Sequence, residues 1–436
     1  MLYYSTSGKV EPVSFSRALL TGMPGDNGLY MPEHIPSFSD GYISELRGKS
    51  LREISFDVSR LYIGDDLPRN ELERVVDSAI NFDAPLVSLD EGIGILELFH
   101  GPTLAFKDYG ARLMARLMEY FNRGESSRLL ILVATSGDTG SAVASGFYGV
   151  DGIDVAILYP SGKVSSVQEQ QLTTVGGNVT AFEVAGTFDD CQSLVKSAFL
   201  DADLASQVRI SSANSINISR LIPQIFYYFY GYSQTIPGVG EVVFSVPSGN
   251  FGNVTAGLFA KRMGLPVRCF ISPTNINDTF PEYLMTGSYS PKPSVQTLSN
   301  AMDVGDPSNV RRINDMYGGD RGRIARDLYS WPYDDQLTSD GIRHMYSRYG
   351  YVADPHTSVG FLGLNTYRNK ISSDVQGIAL STAHPAKFLD TVSACVDKEI
   401  NLPPALSDAM SKKKKSIPTE NSFPVFKDKI LERYSR

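Results

Sequence analysis

Through the middle of this 436-residue chain, short apolar runs alternate with stretches long enough to be helices. Leu129–Ala134 is apolar throughout, a glycine-containing turn follows, and a helical pattern begins at Thr139. The order then repeats as apolar 155–159, helical 165–174, strand-like 179–184 and helical 189–200. A second run opens at 241–246, turns through 247–253, continues as a helix towards Met263 and returns at Val267–Ile271. Strands alternating with helices of this length form right-handed β-α-β units, so two α/β domains with open, mostly parallel sheets are expected. Ligands of such sheets collect at the carboxyl ends of the strands, beside loops and helix N-termini.

The flanking segments are read more simply. Residues before about 90 mix turn signals such as Pro24-Gly25-Asp26-Asn27-Gly28 with a helical pattern over 71–80, and form an expected N-terminal domain. The spacing of Leu113, Leu117, Tyr120 and Phe121 predicts an amphipathic helix over 108–121, which places Lys107 immediately before a helix. The Pro, Ser, Gly and Asn residues of 285–309 predict a long excursion, a kind of loop that is often functional. The lysine run 412–415 is read as a solvated loop. A net charge of -8 argues against a broad nucleic-acid surface and favours small-molecule partners. Cys191, Cys269 and Cys395 are too few and scattered for a disulfide framework, which fits a reducing cytoplasm. Residues 1–16 do not read as a secretory leader, and no apolar run approaches the length of a membrane span, so a soluble protein is expected. His34, His100, His344, His356 and His384 form no H-x-x-x-H pair and have no cysteine partner at zinc spacing, so no catalytic metal is expected.

Three segments carry chemistry. In His100-Gly101-Pro102-Thr103-Leu104-Ala105-Phe106-Lys107-Asp108 a single amine lies between apolar residues and the positive end of a helix. Desolvation and the helix dipole both lower the pKa of such an amine, as a Schiff-base lysine requires. The turn Ala134-Thr135-Ser136-Gly137-Asp138-Thr139-Gly140 follows a strand and opens a helix; it is equally an anion site or an ordinary capped turn. Ser248-Gly249-Asn250-Phe251-Gly252-Asn253 has the same context, with two glycines that let backbone amides approach a phosphate. It has neither the lysine of a P-loop nor the spacing of a dinucleotide fingerprint.

Taken together, these segments resemble those of the threonine synthase family, within the tryptophan synthase β-like group of pyridoxal phosphate enzymes. The resemblance starts with Val13-Ser14-Phe15 and Gly28-Leu29-Tyr30-Met31-Pro32 and takes in the Lys107, Asp138 and Gly249 segments. It also covers Asn214-Ser215-Ile216-Asn217 with Arg220, Ala301-Met302-Asp303-Val304-Gly305, Asp354-Pro355-His356 and Thr382-Ala383-His384-Pro385. Such an order over most of the chain is not accidental. It implies fold type II: an N-terminal domain at 1–95, a large cofactor domain from 96–128 and 238–430, and a smaller α/β domain at 129–237.

The resemblance further implies that Lys107 holds pyridoxal phosphate and that Gly249, Asn250, Phe251, Gly252 and Asn253 bind its phosphate. Asp138 lies near the 3′-oxygen, where related lineages carry asparagine, and Thr382 or its neighbour Ser381 faces the pyridine nitrogen. Thr135, Thr139, Asn214, Ser215 and Arg220 are implied ligands of a second phosphate, that of O-phospho-L-homoserine. The implied reaction is γ-elimination of phosphate followed by β-addition of water, giving L-threonine, in a cytoplasmic enzyme taken as a monomer. The rivals are a serine or threonine dehydratase-like lyase, which needs no substrate-phosphate site, and a catalytically silent ligand-binding homologue.

Overall fold

A computed structural model describes residues 1–435 apart from Val239. The chain begins with a small antiparallel sheet of Val13–Ser14, Leu2–Ser5 and Tyr30–Pro32. Helices Leu51–Ile63 and Arg69–Ala79 follow. The first is started by a capping box, in which Ser50 and Glu53 each satisfy the other's backbone N–H. Its Ile54, Val58 and Tyr62 fall on one face at helical spacing and are fully buried.

Two larger sheets make up the rest. One contains five parallel strands in the order Ile417–Glu420, Val179–Ala185, Ile153–Pro160, Leu129–Ala134 and Arg209–Ser212. Leu129–Ala134 is buried at every position because helices cover both faces of the sheet, which explains its uniformly apolar sequence. The other has six strands in the order Leu328–Tyr329, Val267–Ile271, Glu241–Ser245, Val375–Ser381, Ile93–Glu97 and Leu86–Asp90. Only the last of these runs antiparallel to its neighbour.

Strand pairing at both ends of the chain crosses the lines of the expected division. Leu86–Asp90 and Ile93–Glu97 pair into the six-stranded sheet. At the other end, Ile417–Glu420 pairs with Val179–Ala185, and helix Phe423–Tyr434 buries Phe426 against Phe182. The C-terminal segment therefore returns to the smaller sheet, because that sheet's edge and apolar face are what it covers. The lysine run takes part in this return. Lys414 pairs with Glu169 at 2.7 Å and Glu183 at 2.8 Å, so it is a tether where a solvated loop was expected. The long excursion is also ordered, around the buried Asp303 carboxylate. That group accepts hydrogen bonds from Thr297 N, Thr297 Oγ1 and Asn275 Nδ2.

The strand ends converge. Residues just beyond Leu129–Ala134, Arg209–Ser212, Glu241–Ser245 and Val375–Ser381 all line one cavity of ≈ 440 Å³.

Candidate active site

Every residue expected at the site from the sequence lines this cavity. Lys107 opens helix Lys107–Phe121. The segment before it runs beside the end of strand Val375–Ser381: Leu98 N donates to Ser381 O, Phe106 N to Thr382 O and His384 N to Leu104 O. Leu104 adopts a positive φ of 59° to make that turn. The pairing fixes Lys107 next to Thr382 before any ligand contributes. The Lys107 ammonium lies 4.7 Å from the centre of the Phe106 ring. Burial, helped by the Arg220 guanidinium and opposed by Asp138, pulls its pKa down to about 8.

Asp138 begins helix Asp138–Phe147 after Gly137, whose φ of 139° suits a residue without a side chain. Its Oδ1 lies 2.7 Å from Lys387 Nζ and accepts from Gln168 Nε2 at 2.8 Å. Burial works to raise the Asp138 pKa, but Lys387, His356 and Gln168 hold the carboxyl below its usual range.

The 248–253 turn is built as an anion cradle. Phe251 takes the left-handed conformation, φ 58°, an uncommon one for a bulky residue and a form of strain concentrated at functional sites. Helix Gly252–Arg262 starts directly after it. Among the described residues, the N–H groups of Gly249, Asn250 and Phe251 bond no protein acceptor. The Asn250 side chain is occupied elsewhere, donating to Ser215 Oγ and accepting from Ser308 N, so it shapes the loop and leaves binding to the backbone. Asn253 Oδ1 faces the hydroxyls of Tyr227 and Tyr228, and its buried Nδ2 has no protein partner.

The substrate-side residues divide by how free they are. Arg220 is 3% exposed; one guanidinium nitrogen donates to Ala213 O, while its Nε has no partner among the described residues. No carboxylate lies within ion-pair distance of it among the described residues, and burial brings its pKa down to about 10, which keeps it charged at neutral pH. Ser215 Oγ accepts from Asn250 and Asn309 and retains its own proton to donate. Thr139 is half-buried on the cavity wall. Thr135 and Asn214 are more constrained. Thr135 Oγ1 caps the turn by accepting from Gly137 N and Gly140 N, and the Asn214 amide both donates to and accepts from the Ala134 backbone. Of the alternatives at the pyridine nitrogen, Thr382 lines the cavity, whereas Ser381 Oγ is 2.8 Å from Thr357 Oγ1.

Comparison with known proteins decides the family. The model of the threonine synthase N terminus matches residues 2–80, that of pyridoxal-phosphate dependent enzymes matches 85–381, and that of the threonine synthase C-terminal region matches 357–430. The threonine synthase of Escherichia coli K12 is 42% identical over 411 residues, covering 94% of each chain. That of Haemophilus influenzae is 44% identical over 420 residues, covering 94% of this chain and 97% of its own. The chain belongs to the threonine synthase family. The crystal structure of the Escherichia coli threonine synthase superposes with a TM-score of 0.93 at 40% identity, covering 99% of this chain and 100% of that one. The pyridoxal-phosphate-bound threonine synthase of Brucella melitensis gives 0.91 at 37% identity, covering 100% of both chains. Pyridoxal phosphate is the cofactor of this family, and the cavity fits it: an amine of lowered pKa shares its wall with a loop that, among the described residues, has unbonded N–H donors and an orphaned amide.

Several residues at this threonine synthase-family site were not read from the sequence. Lys387 and Gln168 complete the Asp138 cluster. The buried His356 shares a hydrogen bond with Asp354 through Nδ1 and accepts from Ala301 N through Nε2. Asn27 and Arg311 reach the cavity from outside the recognised motifs. The Pro385-Ala386-Lys387-Phe388 string did offer a signal, since a lone lysine among apolar residues next to Thr382 has to be paired if buried.

The cradle gives a sharp expectation. A Cβ on Gly249 would sit 2.7 Å from both Ala301 O and Met302 Cα, which are backbone atoms unable to swing aside. Gly249→Ala should therefore displace the loop and lower pyridoxal phosphate affinity at least about tenfold, equivalent to about 1.4 kcal/mol. Equilibrium titration of the folded apo-variant measures it. Unchanged affinity would remove this turn from the cofactor site.

Proposed function

We propose that this cavity converts O-phospho-L-homoserine and water into L-threonine and inorganic phosphate. The observation that carries the reading is that the cavity holding Lys107 offers a second anion-binding group beside the 249–253 loop: the buried Arg220 guanidinium, with Ser215 between the two. A dehydratase-like site needs only the loop. Pyridoxal phosphate, when bound, supplies the electron sink that makes the substrate's α and β hydrogens acidic. Lys107 would anchor the cofactor and afterwards, as a free amine of lowered pKa, take protons from those two carbons and return protons at the γ and α carbons. The backbone of Gly249, Asn250, Phe251, Gly252 and Asn253 holds the cofactor phosphate, aided by the dipole of helix Gly252–Arg262.

Thr382 offers a neutral hydroxyl at the pyridine nitrogen, and Asp138 a carboxylate at the 3′-oxygen. Arg220 and Ser215 bind the substrate phosphate and stabilise the charge that grows on it as the bond to the γ carbon breaks. Thr135, Thr139 and Asn214 complete that corner, the first and last chiefly by fixing its backbone. Once phosphate has left, the γ carbon gains a proton and becomes the methyl group. The β carbon then takes hydroxide from water and the α carbon a proton, while the water's remaining proton goes to the phosphate, so that the products are threonine and phosphate. The proposed working unit is a cytoplasmic monomer. It has an N-terminal unit, a large cofactor domain around the six-stranded sheet and a smaller domain around the five-stranded one. No helix among the described residues is long and apolar enough to cross a membrane.

Incubating the purified holoenzyme with O-phospho-L-homoserine should yield threonine and phosphate in equal amounts. A keto acid from serine or threonine without phosphate release would indicate the dehydratase-like rival. Binding without product would indicate the silent one.

A further inference from the structure

Lys387 is 0% exposed, and its ammonium touches two groups: Asp138 Oδ1 at 2.7 Å and the Thr103 carbonyl at 2.9 Å. Gln168 Nε2 donates to the same Oδ1, and among the described residues Asp138 Oδ2 carries no hydrogen bond while its residue lines the cavity. Gln168 is held in turn, its Oε1 accepting from Ser165 Oγ and Asn300 Nδ2. A Cβ on Gly137 would lie 2.5 Å from the Gln168 side chain, so the glycine makes room for this amide. Lys387 itself lies on the turn Pro385–Phe388, just beyond Thr382; His384 caps the turn by accepting from Ala386 N.

We infer that Lys387 is a positioning residue for the cofactor: it occupies one oxygen of Asp138 and presents the other, as a charged acceptor, to the cofactor's 3′-oxygen. This rests on the reading that Asp138 meets that oxygen. A buried carboxylate without a cation takes up a proton and turns from acceptor into donor. An asparagine at this place needs no such partner, whereas an aspartate does, and the Asp138–Lys387 pair restores neutrality. The other groups facing Asp138 are Lys107 and His356, and Asp108 faces Lys387 from its far side.

The test is a double-mutant cycle on the holoenzyme, read by pH titration of the bound cofactor's visible band. Lys387→Met removes a positive charge, so the proton held between the cofactor and Lys107 should persist to higher pH. Asp138→Asn removes a negative charge, so the midpoint should fall. Each shift should be about one to three units. In Asp138→Asn/Lys387→Met the two should largely cancel, and Lys387→Arg should stay closer to the parent than Lys387→Met. An unchanged midpoint in Lys387→Met, with a shifted one in Asp138→Asn, overturns the inference and leaves Asp138 at the cofactor. An unchanged midpoint in Asp138→Asn removes Asp138 from the cofactor, and the inference with it. If Lys387→Met does not fold, the double variant, which leaves neither charge of the pair unmatched, still decides. A midpoint equal to that of Asp138→Asn alone shows that the Lys387 charge is not felt.

Discussion

Lys107→Ala is expected to fold, to bind pyridoxal phosphate weakly through the 249–253 loop, and to show neither turnover nor the visible absorbance of a lysine-bound cofactor. The effect should be complete. Among the described residues, the buried Lys387 is committed to Asp138 and Thr103, and Lys196, which also reaches the cavity wall, is exposed to solvent. Borohydride reduction of the parent enzyme followed by peptide mapping should find the cofactor on Lys107. Recovery of the label on Lys387 would overturn the assignment. The pKa of the amine adds a kinetic signature. Only the neutral amine attacks an aldehyde, so attachment of pyridoxal phosphate to apo-enzyme should accelerate as pH rises and level off above about 8. A surface lysine would continue to accelerate to about 10.4. Stopped-flow mixing across that range distinguishes the two profiles.

Much of this site could be read from the sequence because the loops carrying Asp138 and Gly249 follow strands whose burial left a plain signature. Leu129–Ala134 is uniformly apolar, so the turn carrying Asp138 was placed at a strand's carboxyl end, where the structure has it. Strand Val375–Ser381 gave no such signal, although it occupies the middle of the six-stranded sheet. Its sequence is interrupted by Gln376, whose amide bonds the backbone of Ile236, and by Gly377, which makes room for Leu364. Both choices answer neighbours far along the chain and leave no local period to read. The ion pair of Asp138 with Lys387 was hidden for the same reason. Each residue is unremarkable in its own segment, and only the convergence of two sheets makes them partners. Lys414 was likewise hidden within a run of lysines, where solvation is the ordinary expectation. Thr135 and Asn214 carry a second duty that motif matching does not reveal, since each also bonds backbone groups of the turn it helps to form.

Arg220→Ala should separate the two phosphates of the proposed reaction. Arg220 is buried and charged; among the described residues no carboxylate lies within ion-pair distance, Asp108 acting only from farther off, and its Nε makes no bond. Such a cation is costly unless an anion completes it, and the substrate phosphate is the anion the proposed reaction brings to this corner. The close fit against helix Lys107–Phe121 shows how firmly it is placed: a Cβ on Gly110 would lie 2.7 Å from Arg220 Nε. Removing the guanidinium should leave the cofactor's absorbance intact, because the 249–253 loop and Lys107 anchor it independently. Efficiency with O-phospho-L-homoserine should fall by about 2 to 5 kcal/mol, the range for losing one partner of a desolvated charge pair. In kcat/KM that is roughly thirty- to four-thousand-fold, at about tenfold per 1.4 kcal/mol. Inorganic phosphate should compete with substrate in the parent and much less in the variant. Arg220→Lys should recover only part of the loss, since an ammonium keeps the charge but cannot meet two phosphate oxygens at once. Near-parental kcat/KM in Arg220→Ala would remove this residue from the substrate site and, with it, the observation that sets the proposed reaction apart from a dehydratase. Lys107 would remain the cofactor's anchor in either case.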